Sequence, residues 1–394
     1  MTPLPLEGVT VVSLEQAVAA PLATRHLADL GARVVKVERR GSGDFARGYD
    51  ETVKGLSSAF VWLNRSKESL TLDVKHPDAQ GVLARLVARA DVVVQNLAPG
   101  AARRVGLDAE TLRADRDDLV VCDISGYGPD GPYRDRKAYD LLVQGEAGVI
   151  SVTGTPESTA KVGVSIADIA AGMYAYSGVL AALFARERTG RGRAVEVSLF
   201  DALTEWMSHP MYYTEYGGTQ PPRMGTSHPL IAPYGSYATQ EGRELLVAVQ
   251  NEREWRRLCA VVLEDEQIAD DERFATMSRR VAHREALDEV VGARLRALEA
   301  SEAVALFEQA QIAFAHVNTV GELAGHPQLV ARDRWTQVGS PVGPLDALVP
   351  PGVPAAADAR MDPVPGLGEH TDSVLGWLGY SATEVEQMRA QELV

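Results

Sequence analysis

One acidic residue stands out as a candidate for chemistry. The stretch Lys161–Gly178 reads KVGVSIADIAAGMYAYSG, and Asp168 is its lone carboxylate in a run of apolar and small residues. A polar, Gly-containing segment, Thr153–Ala160, precedes it, and a helical pattern follows to about Arg188. The residues leave two readings open. Ser165-Ile-Ala-Asp168 fits a capping box, in which the acid closes a helix start. A poorly solvated carboxylate is equally able to act as a nucleophile and carry an acyl group covalently.

The elements that must position Asp168 follow from the rest of the chain. With 394 residues, there is enough chain for two domains and a full core. A net charge of −15 argues against a nucleic-acid binder, which carries a basic face. Cys122 and Cys259 lie far apart in apolar runs and form no CxxC pair, which predicts reduced, buried thiols and a cytoplasmic protein. The N-terminus has no basic, then apolar, leader pattern. Apolar stretches break before about 18 residues, so no membrane span is expected.

Val9–Leu14, Val34–Glu38, Ser69–Val74, Asp91–Gln95, Leu119–Ile124 and Ala194–Leu199 read as strands. Helical patterns such as Pro21–Leu30 and Pro77–Ala90 alternate with them, which predicts βαβ units and a parallel sheet. A dinucleotide site would need glycines in the first strand-to-helix turn. That turn, Glu15–Ala20, has none. A long helix is expected over 201–216, a Gly/Pro-rich linker over 217–233, a smaller α/β unit over 234–322, and a loop-rich return over 323–394. Ligands of open α/β sheets sit beyond the carboxyl ends of the strands. Cations gather there in this acidic chain: Arg39 and Arg40, Lys75, Arg103 and Arg104, and Lys137. They suit a phosphate-bearing polyanion, although scattered surface charge is the alternative.

The motifs then carry a resemblance. AAPLATRHLADLGARVVKVERRGSGD (Ala19–Asp44), NRSKESLTLDVK (Asn64–Lys75), ADVVVQNLAPGAARRVGL (Ala90–Leu107), SGYGPDGPY (Ser125–Tyr133), AYDLLVQGEAGV (Ala138–Val149), VGVSIADIAAG (Val162–Gly172) and TGRG (Thr189–Gly192) follow in order. Together they resemble the family III CoA-transferases, the formyl-CoA transferase and carnitine CoA-transferase group. The resemblance implies a Rossmann-like large domain, 1–216 with 323–394, and a smaller domain inserted between them. It also implies two subunits interlocked as a ring-like homodimer. It places the nucleophile on Asp168. CoA-contacting positions fall on Val18, Ala19, Arg39, Leu72, Lys75, Asn96, Leu97, Arg104, Lys137, Tyr139 and Asp140. Val18 stands where formyl-CoA transferase has a glutamine at the reaction site, which argues against oxalate or formyl chemistry. Tyr139 stands where the related α-methylacyl-CoA racemases carry a histidine. A phenol that titrates near 10 is a poor proton shuttle at neutral pH, so transfer is favoured over racemisation.

The implied reaction moves CoA through an aspartyl anhydride and an aspartyl-CoA thioester, and needs neither metal nor ATP. The donor is expected to be succinyl-CoA. The acceptor is expected to be a short dicarboxylic acid of the itaconate, mesaconate, citramalate or hydroxymethylglutarate type. Gly225, Thr226, Ser227 and His228 are candidates to line the acyl pocket, and Arg47 and Arg223 to hold a distal carboxylate by bidentate pairing. Asp168 is expected to keep an ordinary or low pKa, helped by its helix N-terminus.

Overall fold

The computed structural model describes residues 3–394. The chain divides into two units, which are described separately. The first takes in the chain up to Val149, Val162–His209 and Pro327–Val394; the second takes in Ile150–Lys161 and Pro210–His326. The second unit therefore claims 150–161, a stretch that the sequence patterns gave no reason to detach from the first. It also begins before the expected linker.

The first unit is organised by its valine-rich strands: β1 (Thr10–Leu14), β2 (Arg33–Glu38), β3 (Lys67–Thr71), β4 (Val92–Gln95), β5 (Val120–Ser125) and β6 (Ala194–Ser198). They form one sheet in the order β3-β2-β1-β4-β5-β6, and every pairing is parallel. The register sets valine beside valine across the centre: Val11 pairs with Val34 and Val92, and Val12 with Val35 and Val93. Such strands must be covered on both faces. On one face Val11, Val34, Val92 and Val120 pack under the helices Ala19–Asp29 and Ile166–Thr189. On the other, Val12, Val35, Val93 and Val121 pack under Ala79–Ala88 and Thr371–Trp377. The last helix thus comes from the far end of the chain. The strand order reverses between β1 and β4, which makes the carboxyl ends of those strands the expected ligand crevice.

The helix Ile166–Thr189 is long and apolar enough to cross a membrane by length and composition, contrary to the expectation from the sequence. Its small residues Ala167, Ala170, Ala171, Gly172 and Ala175 are buried in the core of the unit. At Gly172 a Cβ would lie 2.7 Å from the Ala19 carbonyl oxygen, so glycine is what lets this helix press on the start of Ala19–Asp29.

Three other expectations shift. β3 starts two residues earlier than expected and ends at Thr71. Beyond it the Asp73 carboxylate accepts the Lys75 N–H and turns the chain. The expected 201–216 helix is two helices, Leu199–Trp206 and Ser208–Gly217; Pro210 has no N–H to carry the ladder across the break. After the second unit's strands β7 (Tyr234–Ala238), β8 (Glu244–Ala248) and β9 (Ala313–His316), the return segment holds a hairpin, β10 (Trp335–Val338) with β11 (Leu345–Leu348). Its Val338 and Leu345 pack with Phe60.

The second unit is built on an antiparallel sheet, β7 (Tyr234–Ala238), β8 (Glu244–Ala248) and β9 (Ala313–His316), in the order β7-β8-β9. Helices carrying Trp255, Val291 and Phe307 fill its core.

Candidate active site

Asp168 occupies the third position of the Ile166–Thr189 helix. The capping box does not form: Ser165 makes no side-chain cap bond. Asp140, which opens the helix Asp140–Glu146, supplies the cap. Its Oδ1 accepts the Ala167 N–H at 2.8 Å and the Asp168 N–H at 3.5 Å. Its Oδ2 accepts the Gln144 amide at 2.7 Å, and Gln144 in turn accepts the Val162 N–H at 2.9 Å. No described residue donates a hydrogen bond to the Asp168 carboxylate. Burial, reinforced by the Asp140 carboxylate, pushes Asp168 up to about 7. The expected ordinary or low value is therefore wrong, because the helix-terminal N–H groups that would have lowered it are spent on Asp140.

The neighbourhood of Asp168 is drawn from three other segments. Ile169 packs against the cluster of Val18, Leu22 and Leu63, as does Ala17 of the turn after β1. Tyr49, on the loop after β2, is pushed up to about 12 by partial burial and by Asp44, Asp168 and Tyr139. Tyr139 precedes the Asp140 helix and is 64% exposed. The turn after β1 is held rigidly. Asn96, after β4, accepts the Gln16 N–H at 2.8 Å and donates to the Gln16 carbonyl at 2.9 Å, spanning the switch point. Ala17 adopts φ 62° and gives its N–H to Asp44 at 3.0 Å. A non-glycine residue in that region costs energy, which the bonds around it offset.

Beneath this turn lies a charge cluster with its side chains almost out of water. Lys67 contacts Glu15 at 2.7 Å, and Lys36 contacts Asp44 at 2.7 Å and Glu15 at 3.3 Å. Arg47 grips Glu38 with two bonds of 2.8 and 2.7 Å and stacks 3.7 Å over Phe60. Burial would raise Glu15, but Lys67 and Lys36 outweigh it and hold the carboxyl at about 2. Glu38 is lowered likewise, Arg47 and Lys36 overcoming burial. Its oxygens also accept Ser69 Oγ and the Asp44 N–H. The acid at the end of β2 is thus occupied by Arg47, Ser69 and the Asp44 N–H. Arg47, expected to meet a substrate carboxylate, is committed to Glu38 instead.

The other expected ligand positions divide cleanly. Arg39 follows β2, Lys75 follows β3, Arg104 closes the short helix Ala101–Arg104 after β4, and Lys137 follows β5. All four are exposed, and none has an ion pair among the described residues. Their neighbours do: Arg40 with Glu392, Arg103 with Glu110, Arg134 with Asp135, Arg136 with Glu146. Leu72 is buried in the core, so only its backbone is available to a ligand. Val18 and Ala19 are buried at the helix start, and Leu97 is half-buried with its N–H on Gln95.

The remaining candidates belong to the second unit. Arg223 is spent on the carbonyls of Ser151, Thr155 and Pro156, so it is not poised for a carboxylate. Gly225, at φ 59°, donates to the Gly154 carbonyl at 2.7 Å. Thr226 follows it in the same turn, and Ser227 Oγ lies where a Cβ on Gly235 would clash. His228 stacks on Tyr234, and its Nδ1 accepts the Leu230 N–H at 3.1 Å.

The family described as CoA-transferase family III matches residues 6–371. The chain belongs to that family. It is therefore an enzyme of the CoA-transferase type, working on CoA thioesters. It is 35% identical to the succinate–glutarate CoA-transferase of Agrobacterium fabrum, over 95% of this chain and 96% of that one. It is 30% identical to the human succinyl-CoA:glutarate CoA-transferase, over 94% of this chain and 85% of that one. Among solved structures, a CaiB/BaiF family protein from Brucella suis superposes with a TM-score of 0.84 at 34% identity, covering 96% of this chain and all of that one. Tyr49 and the buried cluster were not evident in the sequence. The cluster had a signal: Lys36 interrupts the apolar run of β2, and a charge inside such a strand needs a buried partner. Tyr49 had none.

Proposed function

We propose that this family III member moves CoA from succinyl-CoA to a short dicarboxylic acid, with Asp168 as the acyl-accepting nucleophile. The observation that carries the reading is the pairing of a half-buried, donor-free carboxylate with four cations that follow β2, β3, β4 and β5 and have no ion pair among the described residues. Arg39, Lys75, Arg104 and Lys137 take the phosphates of CoA. Asn96 and the buried cluster hold the turn that carries Val18 and Ala19 against the thioester. The names of the A. fabrum and human relatives support succinate and glutarate as the acid pair.

The Asp168 carboxylate attacks the thioester carbonyl; the C–S bond breaks and CoA leaves as thiolate. The thiolate attacks the aspartyl carbonyl of the anhydride, releasing succinate and leaving CoA as a thioester on Asp168. The acceptor carboxylate displaces CoA again, and the thiolate finally takes the acceptor acyl group, freeing Asp168. Thioester energy is conserved throughout, so no metal or ATP enters. The working enzyme is proposed to be an interlocked, ring-like homodimer of the cytoplasm. Gly225, Thr226, Ser227 and His228 are proposed to line the acyl pocket.

The test incubates the enzyme with succinyl-CoA and dicarboxylic acids of two to six carbons, and identifies new thioesters by mass spectrometry. A hydroxylamine quench should convert Asp168 to its hydroxamate. Transfer to none of the acids, or a hydroxamate on another residue, would sink the reading. Incorporation of solvent deuterium into a 2-methylacyl-CoA would replace it by racemisation; oxalate transfer is visible in the same acid panel, and formyl transfer in a parallel run with formyl-CoA as donor.

A further inference from the structure

A carboxylate at the third position of a helix would normally draw on the unpaired N–H groups of the first turn, which stabilise its charge. Here those groups point elsewhere. The Ala167 N–H is held at 2.8 Å and the Asp168 N–H at 3.5 Å by Asp140, a residue 27 or 28 positions earlier in the chain. Asp140 is itself locked by Gln144, and Gln144 by the Val162 N–H. Two acids are thus brought to one helix start, and the one that takes the donors is not the nucleophile.

We propose that Asp140 is the positioning residue of the transfer reaction: it caps the helix in place of Asp168 and faces it with a like charge, so that the nucleophile is left under-stabilised. The proposal rests on the reading of Asp168 as the nucleophile. Its chemical consequence is twofold. A carboxylate deprived of donors is more basic, and nucleophilicity tracks basicity. Moreover, the repulsion between the two carboxylates exists only in the free enzyme. It vanishes when Asp168 becomes a neutral anhydride or thioester, so Asp140 favours every acylated state over the resting one.

The groups facing Asp168 are few. Tyr139 and Asp140 come from the Asp140–Glu146 segment. Tyr49, with Asp44 behind it, comes from the loop after β2. The turn after β1 brings Ala17 and Val18 into the apolar cluster on which Ile169 packs. Asp140 is the charged group that bears on Asp168.

The experiment compares pH–rate profiles and hydroxylamine-trapped intermediate in wild type, Asp140→Asn and the double exchange Asp140→Asn with Gln144→Glu. The single variant keeps an oxygen for the Ala167 N–H but removes the charge. The double exchange keeps the donor–acceptor sequence and moves the charge one link away, which guards against simple misfolding in the single variant. Removing the charge should shift the acidic limb toward lower pH by on the order of one unit. It should also lower the plateau rate and reduce the fraction trapped as hydroxamate, and the double exchange should give an intermediate limb. An unchanged limb in both folded variants would overturn the proposal. Asp168→Asn is run alongside: turnover retained there would overturn the nucleophile itself, a different failure with a different readout.

Discussion

Two groups of acids at the same end of the parallel sheet are treated in opposite ways. Glu15, Glu38 and Asp44 are matched by Lys36, Lys67 and Arg47, three charges against three. Asp168 is matched by nothing but another acid. Both groups suffer desolvation, which raises a carboxyl; the counter-charge decides the outcome. With lysines in contact Glu15 falls to about 2, and with Asp140 nearby Asp168 rises to about 7. The balanced group is spent on itself and serves to hold the Ala17 turn and the loop after β2. The unbalanced one has no hydrogen-bond donor on its carboxylate among the described residues. Burial of charge is therefore compensated in one place and left uncompensated in the other.

The largest effect should come from the unbalanced side. Asp168→Ala should lower transfer by roughly three orders of magnitude or more, since loss of a covalent nucleophile is rarely compensated. CoA binding, followed by calorimetry, should survive. Near-normal turnover would end the distinction between the two groups. On the balanced side, Lys67→Met should leave Glu15 buried with one ammonium fewer. Breaking such a pair costs about 3–5 kcal/mol, which urea unfolding would register; a loss below about 1 kcal/mol would mean that the cluster relaxes into water.

The two groups also predict opposite slopes of stability with pH. Glu15 titrates lower in the folded chain than its ordinary 4.5. Its contribution is present above that value and is lost as pH falls toward about 2. Asp168 titrates higher than its ordinary 3.8, at about 7. The folded state then binds the extra proton between these values, so its contribution declines as pH rises through that window. Asp168→Asn should consequently unfold at a higher temperature than wild type at pH 8, with the gain fading toward pH 4. A benefit on the order of 1 kcal/mol is expected, because a half-buried group is partly screened by water. An equal difference at both pH values would remove the electrostatic origin assigned to it.

How much of this was legible in the sequence follows from what each feature depends on. The parallel sheet was, because runs such as VVV in β4 leave few alternatives once helices alternate with them. Asp168 was singled out by its isolation, and the four cations by their places after strands. The donor of the helix cap was not, since Ser165 satisfies the local pattern while Asp140 wins from 27 residues away. Arg47 and Arg223 were misread for the same reason: an arginine's chemistry suits a substrate carboxylate, but Glu38 and three carbonyls reach it first. The hairpin of β10 and β11 was hidden by prolines and glycines, Pro341, Gly343 and Pro344, that make its turn.

The contrast between satisfied and unsatisfied charge extends to the surface, where the effect should be smallest. Arg103 and Arg104 are adjacent on one short helix, yet Arg103 pairs with Glu110 and Arg104 has no ionic partner among the described residues. If the unpaired cation is the one kept for CoA, Arg104→Ala should weaken CoA binding several-fold, about 1 kcal/mol for a charge-assisted contact at a wet surface. The loss should shrink as salt screens the phosphate. Arg103→Ala removes the same charge one residue away but frees Glu110, so a general field effect would make it at least as harmful. Titration of both variants with CoA at two ionic strengths separates these cases. Equal losses would show that net charge at the strand ends matters, and that the pairing pattern does not select the ligand contacts.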